Sequence, residues 1–142
     1  MSANSITIRF ATPDDLDWCV TQDHQVLPGV IARKIEIDEI LVGECAGQRV
    51  GYLRLEYLWS IVPYIALIWV PENCRRQGVG RAMLAFLEAF LRGKGHTLLM
   101  SSSQADEPGP RAWHRHMGFA ECGILAGINV GGVGEVFFRK AL

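Results

Sequence analysis

The stretch Asn73–Leu84, NCRRQGVGRAML, sets three arginines and two glycines in front of an apolar helical pattern. From Val79 onward, Val79, Met83, Phe86, Leu87, Phe90 and Leu91 recur every three or four residues, the period of an amphipathic helix. Gly93 and Gly95 end the pattern, and Arg92 and Lys94 suit its negative end. Upstream, SIVPYIALIWV (60–70) is a nearly continuous apolar run, as expected of a strand buried on both faces, with Pro63 at its start or at a bulge. A strand therefore feeds a loop, and the loop feeds a helix. The first N–H groups of a helix lack internal partners and carry the positive end of its dipole. Gly78 and Gly80 let a ligand approach those groups, and Arg75, Arg76 and Arg81 add full charges. The stretch reads as an anion cradle suited to phosphate. It is not the ATP loop, because no Lys-Ser/Thr follows the glycines. Nor is it the dinucleotide turn, because Met83 stands where the third small residue belongs.

Outward from this point the chain alternates strands and helices. SITIRF (5–10) is a strand. A helix follows, with Thr12 as cap, Pro13 at its first position, Asp15 three residues after the cap, and Leu16, Cys19 and Val20 as its apolar stripe. It stops before Pro28-Gly29, and VIARKIEIDEI (30–40) reads equally as a short helix or a loop. Residues 40–60 form two strands around a turn at Ala46-Gly47-Gln48. HTLLMSS (96–102) is a further strand. A short helix starts near Pro108 or Pro110 and ends at Gly118, and two last strands flank NVGGVG (129–134). The order is that of a mixed α/β protein forming one domain over residues 1–142.

The balance of 14 basic and 15 acidic residues argues against a nucleic-acid partner held by charge. No run reaches the roughly 18 apolar residues a membrane span needs, and MSANSITIRF lacks the pattern of a secretory signal. The cysteines, Cys19, Cys45, Cys74 and Cys122, form no CxxC pair, so no metal site is expected and a reduced, cytoplasmic protein is.

Arg75-Arg76-Gln77-Gly78-Val79-Gly80 has the form Q/R-x-x-G-x-G/A and follows a buried strand and Val70-Pro71. It resembles the acetyl-CoA-binding signature of the GNAT family of N-acetyltransferases. ITIRFATPDDL (6–16) looks like that family's opening strand and helix. WHRHMGF (113–119) is similar to its Tyr-x-x-x-Gly-Phe pattern, with His114 in place of Tyr. The resemblance covers essentially the whole chain. It implies a central mixed, mostly antiparallel sheet of about six to seven strands, splayed between the fourth and fifth and flanked by three to four helices.

It also implies a site. Coenzyme A pyrophosphate would rest on the amides of Arg76, Gln77, Gly78, Val79, Gly80 and Arg81, with Arg75 at the head. The pantetheine arm would run along the backbone of Ile68, Trp69 and Val70, acting as a surrogate strand in the splay. Family members often place an Asn before the last helix; SSSQADEPGPRAW (101–113) has none, and Ser103 or Glu107 can stand in. The reaction implied is attack of a primary amine, on a small molecule or peptide, on the thioester of acetyl-CoA. Val70 N–H is the candidate oxyanion donor. His114 either protonates the departing thiolate or simply packs, and His116, two residues on, falls roughly on the opposite side of the helix. The family's base position, eleven residues before Arg75, is Tyr64, a phenol and a poor base at neutral pH. Glu56 on the preceding strand is the alternative, acting through a water. Trp18 and Trp113 read as core, Trp59 as a pocket candidate, and Asp23 and His24 as candidate acceptor contacts. A domain that binds acetyl-CoA without turnover is the competing reading, and a homodimer is compatible with the family.

Overall fold

The computed structural model describes residues 5–142; residues 1–4, the start of the N-terminal stretch read above, lie outside them. Seven strands form one sheet: β1 (Ile6–Phe10), β2 (Ile40–Cys45), β3 (Gln48–Leu58), β4 (Val62–Trp69), β5 (Leu98–Gln104), β6 (Ala120–Leu125) and β7 (Glu135–Ala141), in the order β1-β2-β3-β4-β5-β7-β6. Every neighbouring pair is antiparallel except β4 and β5, which are parallel. The helices are α1 (Leu16–Gln22), α2 (Pro28–Glu36), α3 (Val79–Gly93) and α4 (Pro108–His116). The ambiguous segment after Pro28 is helical. Proline supplies a ready first-turn φ, and Ile31 and Ile35 bury the four-residue stripe that a loop would leave exposed.

The sheet has two different faces. Leu53 and Leu55 of β3, Ile65 of β4, Leu99 of β5 and Phe138 of β7 pack with Met83, Leu87 and Leu91 of α3. Tyr52 of β3 and Val42 of β2 turn the other way, against Cys19 of α1 and Ile31 and Ile35 of α2. This is the two-residue alternation of a strand made into two half-cores. Asp15 anchors the start of α1: Arg9 and Arg49 both donate to its buried carboxylate, and Thr12 N–H donates to it at 2.7 Å.

Glycine sets how close α3 lies. Gly43 and Gly51 are cross-strand partners, and a Cβ on Gly51 would stand 2.6 Å from Val79 Cγ1 and 3.0 Å from Met83 Sδ. The first turn of α3 thus rests on bare backbone of β2 and β3.

β4 is not buried on both faces as its apolar run suggests; most of it is half-buried, and Trp69 is exposed. The reason is a parting of the sheet. β4 stays paired with β3 as far as Trp69, and β5 with β7 as far as Gln104, but β4 and β5 pair only at Tyr64–Met100 and Ile65–Ser101. Opposite β3, Leu55 faces Ile65 and Arg54 faces Leu67, so Ala66 is an extra residue, a bulge at the point of parting. The splay lies between the fourth and fifth strands, as the resemblance implied. Among the described residues no helix is long and apolar enough to cross a membrane.

Candidate active site

The loop expected to act as the cradle spans residues 75–81. Arg76 has φ 64° and Gly78 φ 85°, both left-handed, which turn the loop so that Gly78 precedes the first turn of α3. A Cβ on Gly78 would meet nothing within 4 Å, so the space in front of that turn is open. Val79 is buried against the sheet, leaving only its backbone at the helix start. Gln77 is exposed. The Arg75 side chain folds back over β4: its Nε donates to the Val70 carbonyl at 2.8 Å, and its guanidinium stacks on the Trp69 ring at 4.7 Å. Arg75 thereby ties Trp69, the last residue of β4, and Val70 after it to the loop; Ile68 precedes them on β4.

α4 docks beside this turn, with the Trp113 ring 3.5 Å from where a Gly80 Cβ would be. That docking places His116 differently from the sequence expectation. Its Nε2 lies 3.1 Å from Arg81 Nη2, against the cradle rather than away from it. Helix spacing alone set His114 and His116 apart correctly, but the roll of α4, fixed by Trp113, decides which of them meets the loop.

His114 points inward. It is buried, its ring stacks on Phe138 at 4.4 Å, and Trp113 and Phe119 meet it edge-on. Nδ1 lies 2.7 Å from the Pro110 carbonyl, which can only accept, so Nδ1 carries the proton. Nε2 then accepts from Ser101 Oγ at 2.7 Å. Burial pushes the imidazole below its ordinary pKa, against a smaller opposing effect of the Pro110 bond, so the neutral ring is favoured. Two residues along β5, Ser103 also points to the α3 side of the sheet. Its Oγ is buried and has no hydrogen-bond partner among the described residues.

The opposite face of the same region is polar. Asp23, buried, accepts from Tyr52 Oη at 2.6 Å and Arg54 Nε at 2.7 Å; Arg54 is buried too and also pairs with Glu56 and with Gln25 Oε1. Glu56 is the cross-strand partner of Tyr64. Tyr64 Oη lies 2.6 Å from Ser102 Oγ, and Ser102 donates to Glu135 Oε2 at 2.5 Å. Tyr64 and Glu56, the two candidate bases, are thus side by side; His114 lies behind the sheet from them. Asp23 is a buried partner of Arg54, while His24 is exposed. Trp18 packs on Tyr52 and Trp113 joins the α3 core, but Trp59 is 84% exposed at the β3–β4 turn. Ser102 and Glu135 carry no motif, and their separation in the sequence hid them. A hollow of about 460 Å³ lined by Ile37, Tyr57, Ile61 and Phe90 sits at the far end of α3, away from the cradle.

A parallel pair of strands thus parts near the start of α3, with polar groups on the opposite face of the sheet. Residues 10–119 match the acetyltransferase (GNAT) family. The chain belongs to that family. Solved structures similar to it include Ard1 from Thermoplasma volcanium, at 18% identity, TM-score 0.86, and coverage of 96% of this chain and 97% of that one. The ribosomal-protein-alanine N-acetyltransferase from Brucella melitensis is 25% identical, with TM-score 0.82 and coverage of 96% and 99%. The putative acetyltransferase yncA from Salmonella typhimurium, solved with acetyl-CoA, is 18% identical, with TM-score 0.82 and coverage of 97% and 94%. No curated protein sequence matches the chain.

Proposed function

We propose that the protein is an acetyl-CoA-dependent N-acetyltransferase that moves the acetyl group to a primary amine by direct attack on the thioester. The observation that carries this reading is the gap between β4 and β5, which opens beside the first turn of α3. The residues fit acetyl-CoA. The open space at Gly78 admits a pyrophosphate to the amides of residues 76–81, and the unpartnered Ser103 Oγ on β5 can meet an amide of the pantetheine arm. Backbone of β4 beyond Ile65, including Ile68 and Trp69, and of Val70 after it lacks a β5 partner and can pair with that arm. The Val70 N–H remains the candidate donor to the oxyanion.

Both nitrogens of His114 are engaged by Ser101 and Pro110. We therefore assign His114 to holding α4 against β5, and the thiolate takes its proton from solvent. The amine meets the thioester from the α1/α2 face, where Glu56 and Tyr64 stand. The Brucella protein, by its name, acts on an alanine of a ribosomal protein, and this supports a peptide α-amine as an acceptor class.

The test is thiol release from acetyl-CoA with a panel of peptides bearing free N-termini and small primary amines. The reading expects at least one amine to raise release well above hydrolysis. The sealed His114 favours a second reading, a domain that binds acetyl-CoA without turnover; tight binding with no release across the panel would establish that instead.

A further inference from the structure

We propose that Tyr64, Ser102 and Glu135 form an outlet for the proton of the attacking amine, with Glu135 as its terminus. The proposal rests on the N-acetyltransferase reading above. The three residues sit on the adjacent strands β4, β5 and β7, all on the face opposite α3.

The direction of the chain follows from proton counting. Ionised Glu135 can only accept, and it does so twice: Oε2 from Ser102 Oγ at 2.5 Å and Oε1 from Asn129 Nδ2 at 3.0 Å. Ser102 has one hydroxyl proton, and it is given to Glu135. Ser102 must therefore accept at its 2.6 Å contact with Tyr64, so the Tyr64 proton points at Ser102. The phenol's remaining lone-pair capacity is left for an incoming N–H. Phe137, stacked on the Tyr64 ring at 5.8 Å, holds the ring in place. Tyr64 also lies in the last stretch of β4 paired with β5 before the strands part, where the cleft closes.

This arrangement answers the objection to a phenol as base. Burial above all, with Glu135 and Glu56 adding to it against the Ser102 bond, raises the Tyr64 pKa, so the ring stays protonated at neutral pH. It need not hold a proton; it accepts one as it passes its own along. Glu56 is less free for the task, because it is paired with Arg54.

In the step itself the amine lone pair forms the C–N bond and the C–S pair leaves with the thiolate. The N–H proton moves to Tyr64 Oη, the Tyr64 proton to Ser102 Oγ, and the Ser102 proton to Glu135 Oε2. The products are the amide, the thiolate and a neutral Glu135, which returns its proton to solvent. Tyr64 is the catalytic member; Ser102 and Glu135 act through it.

The experiment compares Tyr64→Phe, Ser102→Ala and Glu135→Gln with wild type, using an amine that wild type acetylates. Each substitution should lower kcat about a hundredfold while leaving KM for acetyl-CoA unchanged. Tyr64→Phe combined with Glu135→Gln should be no slower than the slower single variant, because one path is cut either way. Rate against deuterium fraction should curve in wild type, as for several protons moving together, and become straight in Glu135→Gln. Without any cosubstrate, proton NMR should show a slowly exchanging downfield hydroxyl in wild type that Glu135→Gln loses. If Glu135→Gln does not fold, Ser102→Ala removes the middle link with Glu135 intact. Wild type that acetylates no amine overturns the transferase reading, and the outlet with it. Wild-type turnover with a folded Glu135→Gln or Ser102→Ala within threefold, or with losses that simply multiply, overturns the outlet alone.

Discussion

Ser101 and Ser102 are neighbours on β5, yet they belong to different sites. Ser101 turns toward α4 and donates to a buried, neutral His114. Ser102 turns toward the α1/α2 face and joins Tyr64 to Glu135. Strand alternation alone separates them. The α3/α4 face of the sheet is mostly apolar and seats the loop that opens α3; the opposite face carries carboxylates, a phenol and a buried arginine. A residue aligned with a catalytic position is therefore informative only once its face and its partners are known.

The comparison can be broken most forcefully at Arg54. On the polar face, Arg54→Met would leave Asp23 buried without its cation, and loss of one partner of a buried pair costs about 3–5 kcal/mol. Urea denaturation should show a loss of that order. A loss below 1 kcal/mol would mean that Asp23 is hydrated, and that the polar face is not preassembled.

The apolar face is tested at Gly51, where a methyl would collide with Val79. Gly51→Ala should cost about 1–3 kcal/mol by overpacking and weaken acetyl-CoA binding by shifting the first turn of α3. Unchanged stability and affinity would show that α3 is not seated on that glycine. Gly78→Val is milder in stability but direct in function. It forces a branched side chain into a φ of 85° at the mouth of the cradle. Acetyl-CoA affinity should fall at least tenfold, about 1.4 kcal/mol, in a folded protein.

The smallest effect concerns His114, and it is best read as a function of pH. Burial lowers its pKa in the folded state. Below about pH 6.5 the unfolded chain takes up a proton that the folded chain refuses, so stability from this residue is present above that pH and is lost as pH falls. His114→Phe keeps an aromatic ring on Phe138 but cannot titrate. The difference between wild-type and variant stability should shift in the variant's favour from pH 8 to pH 5.5. Turnover of the variant should stay within threefold of wild type. A hundredfold loss in a folded His114→Phe enzyme would return His114 to the chemistry.

How much of this the sequence disclosed depended on distance along the chain. The loop-to-helix turn was legible because its glycines, arginines and helix period lie within a dozen consecutive residues, Asn73–Leu84. The element order was legible in the apolar periods and turn residues, and the splay through the resemblance. The conformation after Pro28 was not, because charged residues interrupt its apolar stripe until Ile31 and Ile35 find a core. Asp23 meets Tyr52 and Arg54 across 29 and 31 residues, and Ser102 meets Glu135 across 33, so no local pattern announces them. The His114 position was readable, but not its direction. That depends on Trp113 settling over Gly80 and on Ser101 facing α4.

The most direct test of the account is calorimetric titration of acetyl-CoA into the wild-type protein, with no acceptor present. The account predicts saturable one-site binding in the micromolar range, about −8 kcal/mol. Absence of binding at millimolar acetyl-CoA would contradict the assignment of residues 75–81 as its cradle.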